Sequence, residues 1–295
     1  MMKATIIINK ISGKTRKYGV EYKLIKHLSD SGYDTDITYT NASGSVPLAA
    51  EASKTSDLIV AVGGDGTIGE IINGIMQSGK NPELYIVPAG TVNDYSRAFG
   101  LPLDMDTAAQ NLSLPYDTIA ADVLKINDFN AAYLAAFGDF MTAFTAVSSK
   151  TKNSLGRLAY IRAGIRALIK MKPFKVRIET ADETIESDSL FTTASSISSV
   201  GSIKNLIPDA EIDDGCLHVL NIEPANMKEI ITIICLAMRG EITKHEKVKY
   251  IQTKRMKIET TGQTRMNIDG DGHPYAPLNL EVLPQRLKLR VPKKS

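Results

Sequence analysis

Only two cysteines, Cys216 and Cys235, occur in 295 residues. So sparse a pair excludes a disulfide-stapled scaffold, and both lie in apolar company, so buried free thiols in a reducing compartment are expected. Excess charge is equally scarce. The net charge of +2 is too small to mark a nucleic-acid partner, although a local basic patch is compatible with it. Long apolar runs are missing too: Ile230–Met238 falls far short of the roughly 20 residues needed to span a bilayer. The opening MMKATIIINK has no long apolar h-region or cleavage site, and reads as a first strand, not a signal peptide. The histidines His27, His218, His245 and His273 show no metal-ligand spacing, so none is assigned to zinc. No internal repeat or low-complexity linker is visible. What remains is a globular composition, 43% hydrophobic and 23% charged, long enough for one large domain or two ordinary ones.

The first part of the chain alternates between strand-like and helix-like patterns. Ala4–Ile8 is a β-branched run closed by Asn9, Ser12 and Gly13. Tyr18–Ser29 has helical spacing, with Tyr18, Tyr22, Ile25 and Leu28 towards one side and Gly32 just past its end. Tyr33–Thr40 reads as strand, Pro47–Lys54 as helix, and Asp57–Val62 as a buried strand running straight into glycines. Glu70–Met76 reads as helix and Leu84–Val87 as strand. That order predicts an α/β fold, a three-layer sheet with its ligand at the carboxyl ends of the strands. Short helices at Thr91–Ala98 and Asp104–Leu112 follow. Further on, short strands dominate, broken by a helical pair at Phe140–Lys150 and Leu155–Met171. They predict a mainly antiparallel C-terminal β domain. The expected division is an α/β domain over residues 1–121 and a β-rich substrate domain over 122–283.

The strongest chemical signal is Val62-Gly63-Gly64-Asp65-Gly66-Thr67, set between a strand and a helix. Glycines there let the backbone turn tightly and aim N–H groups at a phosphate, with the positive end of the next helix behind them. An acid beside an anion conflicts with that role unless Asp65 engages a divalent cation, a ligand hydroxyl or a backbone amide. A glycine turn capped by Asp65 and Thr67 is the plainer alternative. The segment is neither a GxGxxG fingerprint nor a Walker A loop, which needs a lysine. After the next strand comes Pro88-Ala89-Gly90-Thr91-Val92-Asn93-Asp94-Tyr95, then Arg97. Successive strand ends open toward one crevice, so the two loops should face each other. Thr91 or Asn93 would cap a helix, Asp94 reach a metal or substrate hydroxyl, and Arg97 pair with phosphate oxygens.

A third cluster, Asn267-Ile268-Asp269-Gly270-Asp271-Gly272, is either a hairpin turn or a pair of carboxylates. Such a pair would take a proton from an attacking hydroxyl and help hold magnesium. Asp209, Glu211 and Asp213, with Asp214 beside them, would share one side if extended, as a structural cation site or a solvated edge. Lys14, Arg16 and Lys17 either approach nucleotide phosphates or stay solvated. Arg157, Tyr160, Arg162 and Arg166, with Lys170 and Lys172, form a basic stretch that meets anionic headgroups or is simply a solvated face.

At these three clusters the chain resembles the diacylglycerol kinase catalytic-domain family, and is most similar to soluble bacterial lipid kinases of the diacylglycerol kinase B type. Gly63–Thr67 with Glu70 and Asn73-Gly74 matches the first family signature, Pro88–Asp94 the second and Asp269-Gly270 the third. Asn153–Tyr160, Lys204–Gly215 and Pro284–Pro292 agree as well. The resemblance implies an ATP- and magnesium-dependent lipid kinase, with diacylglycerol the leading substrate. By motif, Gly63, Gly64, Gly66, Thr67 and Thr91 would cradle ATP. Asn9 and Lys10 would lie beside its phosphates, and Glu70 and Asn73 would support the loop. Asp65, Asp94, Arg97 and Asp122 would belong to a magnesium-and-water network, joined by Asp271, and Asp269 would be the general base. Lys14 and Arg157 would be basic residues near the site, and Asp213 would help bind a second, structural magnesium.

The resemblance further implies that residues 284–295 return to complete the nucleotide domain. It favours a homodimer, and a cytoplasmic protein that meets its membrane lipid transiently at the inner face of the bilayer. Three positions depart from the family pattern: Gly69 stands in place of Asn, Asp271 in place of Glu and Arg157 in place of Lys. The shorter Asp271 withdraws its carboxylate by one C–C bond, about 1.5 Å. A kinase of another lipid alcohol, such as a sphingoid base, a monoacylglycerol or a polyprenol, is the enzyme alternative. A non-catalytic nucleotide- or lipid-binding protein is the other.

Overall fold

The computed structural model describes residues 2–10, 20–138, 171–200, 203, 205–261, 266–268, 271–273 and 277–293. The expected helical pair at 140–150 and 155–171 therefore lies outside the described residues, apart from Met171. Two compact units are present. One comprises Met1–Val123, Phe129–Ala131 and Leu283–Ser295, and the other Leu124–Asp128 and Ala132–Val282.

In the first unit the elements run β1 (Met2–Ile8), α1 (Val20–Asp30), β2 (Tyr33–Tyr39), α2 (Val46–Ala52), β3 (Leu58–Gly63), α3 (Asp65–Ser78), β4 (Glu83–Pro88), α4 (Asp94–Ala98) and α5 (Met105–Asn111). The strands pair in parallel in the order β2-β1-β3-β4, and the C-terminal strand joins beside β4 through Lys288 and Leu289. β1, β3 and β4 are apolar on both sides because a parallel sheet is covered on both faces. Ile6, Ile8, Val60, Val62 and Val87 meet Leu24, Leu28, Met105 and Ala108 in one core cluster, while α3 packs on β3.

α1 is turned differently from the expected stripe. Val20, Leu24 and Leu28 face inward, whereas Tyr22 is 73% exposed and Ile25 is also outside. The i, i+4 aliphatic row packs better on the sheet than the aromatic one, whose phenol can stay in water.

The chain continues with β5 (Tyr116–Ile126), β6 (Phe129–Ala132), β7 (Leu134–Phe137), β8 (Phe174–Glu179), β9 (Thr184–Ser189), β10 (Phe191–Ser195) and β11 (Leu217–Ile222). Then come α6 (Met227–Ala237), β12 (Val248–Thr253), β13 (Arg255–Thr260), β14 (Met266–Ile268), β15 (Asp271–His273) and β16 (Leu278–Pro292). The second unit is antiparallel throughout its described pairs. β16, β13, β8 and β9 follow one another, and β12-β11-β10-β7-β14-β15 form a six-stranded sheet. Its interior carries polar groups that bond to one another: Thr192 Oγ1 donates to Asn221 Oδ1, whose amide donates to Ser187 Oγ, each at 2.8 Å.

β5 and β16 each run from one unit into the other. In the first unit the end of β16 is held by Arg290, which is buried against Glu83 and the Tyr33 hydroxyl and stacks on the Tyr116 ring, 3.7 Å from its centroid. The cysteines are free but not buried as expected: Cys216 is half-buried and Cys235 exposed. Cys235 lies on α6, whose inner face is filled by Ile230, Ile233 and Ala237 instead.

Candidate active site

Parallel pairing brings three strand ends level. Ile8 lies opposite Val62, and Gly63 opposite Pro88. From β1 the chain steps outward to β2 and then crosses back to β3 on the other side of β1, so the strand order reverses at these ends, the kind of switch point where doubly wound sheets bind ligands. The Asn9 amide donates to the Val62 carbonyl at 3.0 Å and the Ala89 amide to the Gly63 carbonyl at 2.7 Å. Asn9 Nδ2 donates to Thr67 Oγ1 at 2.8 Å, tying the end of β1 to the first turn of α3.

Glycine is required where the loops crowd. A Cβ on Gly63 would lie 2.6 Å from Cβ and Cγ2 of Thr67, and one on Gly90 would lie 2.7 Å from Gly64 Cα. The two loops therefore touch backbone to backbone at Gly64 and Gly90. Gly64 is the N-cap residue of α3, in extended conformation with no side chain to cap it. The first amides of α3, at Asp65, Gly66 and Thr67, thus have no partner within the helix, and the helix dipole adds positive potential beside them.

Asp65 works across the two loops. Its Oδ1 accepts the Tyr95 amide at 3.2 Å, and the Asn93 and Asp94 amides also favour its charge, so Asp65 caps α4. Asn93, one of the two expected caps, sits in the left-handed region at φ 56°. It turns its side chain back onto Gly90, accepting that amide at 3.0 Å and donating to its carbonyl at 3.3 Å. Burial first, and then the charge of Asp94, push the Asp65 carboxyl up to a pKa of about 6 in spite of those amides. Asp94 is only 1% exposed, with Oδ1 4.0 Å from Arg97 Nε. Arg97 Nη2 donates to the Val92 carbonyl at 3.2 Å, and its Nε is buried without a hydrogen-bond partner. Thr91 is exposed on the second loop.

The remaining expected residues are more dispersed. Lys10 Nζ stands 3.5 Å from the Tyr39 ring centroid, a cation–π contact at the end of β2. Glu70 Oε2 accepts the Ser45 amide at 2.7 Å ahead of α2, and Asn73 Oδ1 accepts the Asn130 amide at 3.1 Å at β6. Both brace what α3 packs against. Gly74, beside Asn73, lets α2 come close: a Cβ there would lie 2.4 Å from the Val46 carbonyl oxygen. Asp122 is buried in β5, where Oδ1 accepts the amide of Gln285, a residue at φ 51° in β16. Gly69 is buried on α3.

The acidic segment before β11 is a series of turns, not an extended edge. Asp213 is exposed, while Asp214 holds the loop together by accepting the Glu211 amide at 2.9 Å, the Cys216 amide at 2.8 Å and His218 Nε2 at 2.9 Å. Buried His218 reaches the Tyr250 hydroxyl through Nδ1 at 2.7 Å. This chain escaped sequence reading because Tyr250 comes to His218 only through the β11–β12 pairing, which sets Leu220 opposite Tyr250. Among the described residues no group of three or more His, Cys, Asp or Glu is arranged to hold a metal. In the third cluster β14 and β15 pair antiparallel, with Ile268 opposite Asp271. Lys14, Arg157 and Asp269 lie outside the described residues.

Residues 3–126 match the diacylglycerol kinase catalytic domain, and residues 141–291 the YegS C-terminal NAD kinase beta sandwich-like domain. A Staphylococcus epidermidis protein named diacylglycerol kinase is 35% identical over 293 residues, covering 99% of this chain and 92% of its own. A Staphylococcus carnosus protein of the same name is 31% identical, covering 99% of this chain and 95% of its own. Two solved structures from Bacillus anthracis str. Sterne show the same fold. One superposes with a TM-score of 0.81 at 24% identity, the other, described as a diacylglycerol kinase, with 0.77 at 21%, each covering 97% of this chain and 96% of its own. A parallel α/β unit with this switch-point loop, carried with an antiparallel β unit, places the chain in the class of kinases that act on lipids. It belongs to the diacylglycerol kinase catalytic-domain family.

Proposed function

We propose that this chain transfers the γ-phosphate of ATP to the free hydroxyl of diacylglycerol, with magnesium as the metal, giving phosphatidic acid and ADP. The observation that carries this reading is the contact of the two glycine loops at Gly64 and Gly90, with the acids Asp65 and Asp94 held in the same crevice. The amides of Gly63, Gly64, Gly66 and Thr67 suit phosphate oxygens, and Thr91, Asn9 and Lys10 belong to the same set of strand ends. Two carboxylates suit magnesium, which takes one or two acid ligands and completes its octahedron with water and substrate phosphates. The charge of Asp94 already raises the pKa of Asp65, so a cation between them would relieve an existing repulsion. When bound, the metal would neutralise charge on the β- and γ-phosphates.

Asp269 would accept the proton of the lipid hydroxyl as its oxygen bonds to the γ-phosphorus. The bond from that phosphorus to the bridging oxygen breaks, and ADP leaves. Arg97 would balance the acid pair, with Asp122 and Asp271 extending it. Asp213 would serve a separate structural ion, and Lys14 and Arg157 would counter phosphate charge. The lipid is met at the inner face of the membrane and the working form is a homodimer, while nucleic acid has no part.

Labelled ATP with magnesium and mixed micelles of diacylglycerol, sphingosine, monoacylglycerol or polyprenol tests the reading. Phosphatidic acid made by the unmodified chain and not by Asp269→Ala is the expected result. Another labelled lipid would move the substrate, a shift for which the departures at Gly69 and Asp271 leave room. Tight ATP binding with no labelled lipid would overturn the reading in favour of a nucleotide- or lipid-sensing protein.

A further inference from the structure

α6 is apolar nearly all round. Ile230, Ile233 and Ala237 are buried, and Ile230 and Ile234 join Met171 and Leu190 in one cluster. The side turned to solvent carries an apolar ridge as well, beside exposed Lys228 and Thr232. Met227 is 56% and Ile231 40% exposed, and Cys235, one turn further, is exposed too. Spacings of four residues stack these three along one ridge. A helix on the outside of a folded domain ordinarily carries its polar and charged residues on that side. Here the exposed charges bordering the ridge are basic: Lys228 next to Met227, and Arg239 just beyond the helix end. The single acid of the helix, Glu229, is drawn back into a capping box, with Oε2 accepting the Asn226 amide at 2.7 Å. Glu241, after the helix, is paired with Lys244.

We infer that this face of α6 is a bilayer-contact surface. It seats Met227, Ile231 and Cys235 at the boundary between headgroups and acyl chains of an anionic membrane, with Lys228 and Arg239 at the lipid phosphates. The inference rests on the lipid-kinase reading, because a substrate that stays in the bilayer has to be reached from its surface. Among the described residues no helix is long and apolar enough to cross a membrane. A second copy of this chain fits the ridge less well. An 11-residue helix is about 16 Å long, so one ridge on it is a small fraction of the ~1,600 Å² that a stable interface buries. In a two-fold contact its basic borders would also face each other.

Flotation of the full chain with vesicles of phosphatidylcholine and phosphatidylglycerol, beside vesicles of phosphatidylcholine alone, tests the surface. The double variant Met227→Ser/Ile231→Ser is expected to bind the mixed vesicles roughly tenfold more weakly. Lys228→Glu/Arg239→Glu should weaken binding to the mixed vesicles only, as raised salt does. Both variants should keep their turnover on short-chain diacylglycerol dispersed in detergent. Unchanged flotation of the Ser double variant overturns the inference, as does an unmodified chain that floats with neither vesicle. Loss of a dimer in sedimentation with flotation intact would assign the face to a second copy and overturn it equally. No turnover by the unmodified chain on dispersed diacylglycerol would sink the kinase reading itself. Normal turnover with unaltered flotation would sink only the docking face.

Discussion

Asp65 and Asp94 at the switch point, and Asp213 and Asp214 before β11, are both sets of acids at chain turns, yet the chain treats them differently. In the first set, burial and then the charge of Asp94 raise the pKa of Asp65, and backbone amides only partly offset that cost. In the second, Asp213 is left in solvent while Asp214 is satisfied by two amides and a histidine. An acid that spends its oxygens on its own loop holds a fold together. Acids crowded beside one another in a crevice, at a cost in stability, are the pair whose ionised form a bound cation would favour.

The comparison can be broken most severely by withholding magnesium. Chelation of magnesium should abolish phosphate transfer, a loss of about 10³-fold or more, while leaving the Asp214 loop folded, as amide exchange at Glu211 and Cys216 would report. Next in size is Asp214→Ala. It strips His218 and two amides of their acceptor and should cost about 2–3 kcal/mol in denaturant unfolding, with a smaller effect on transfer by the surviving folded fraction. Gly90→Ala should push the two loops apart at Gly64, costing about 1–3 kcal/mol by the same unfolding measurement and weakening ATP binding measured by calorimetry.

A further effect is on pH dependence. The folded-state pKa of Asp65 is raised from 3.8 to about 6, so within that window the folded chain keeps a proton that the unfolded chain has released. Its stabilising contribution is therefore full at lower pH and is lost as the pH rises through about 6. Melting temperatures of the metal-free chain across that range should show the decline, and magnesium with ATP should flatten it by favouring the carboxylate.

Much of the first unit was legible because its signals are local. β-branched runs ending in Asn9, Gly63 and Pro88 mark strands that stop at the same edge, and parallel pairing then places those ends side by side. Steric demand explains the glycines within the same short segments. A backbone-amide partner for Asp65 was among the alternatives, but the cap of α4 was assigned to Thr91 or Asn93 because Asp65 lies far along the chain and only the loop contact brings its carboxylate there. The α1 stripe was misread because periodicity alone does not say whether Tyr22 or Leu24 faces the sheet. In the second unit the Asp214–His218–Tyr250 chain depends on strand register, and in the first Arg290 depends on the return of the C-terminal strand to β4. Short strands with few distinctive turn residues carry neither fact in their composition.

The most direct test of the acid pair is Asp65→Asn, measured for γ-phosphate transfer and for melting temperature in the same preparation. Asn keeps an oxygen for the amides of α4 but removes the charge beside Asp94. The expected result is transfer reduced by about 10²-fold or more with melting temperature unchanged or raised. Full transfer retained by Asp65→Asn would contradict a metal-binding role for this pair and leave Asp65 as the cap of a short helix.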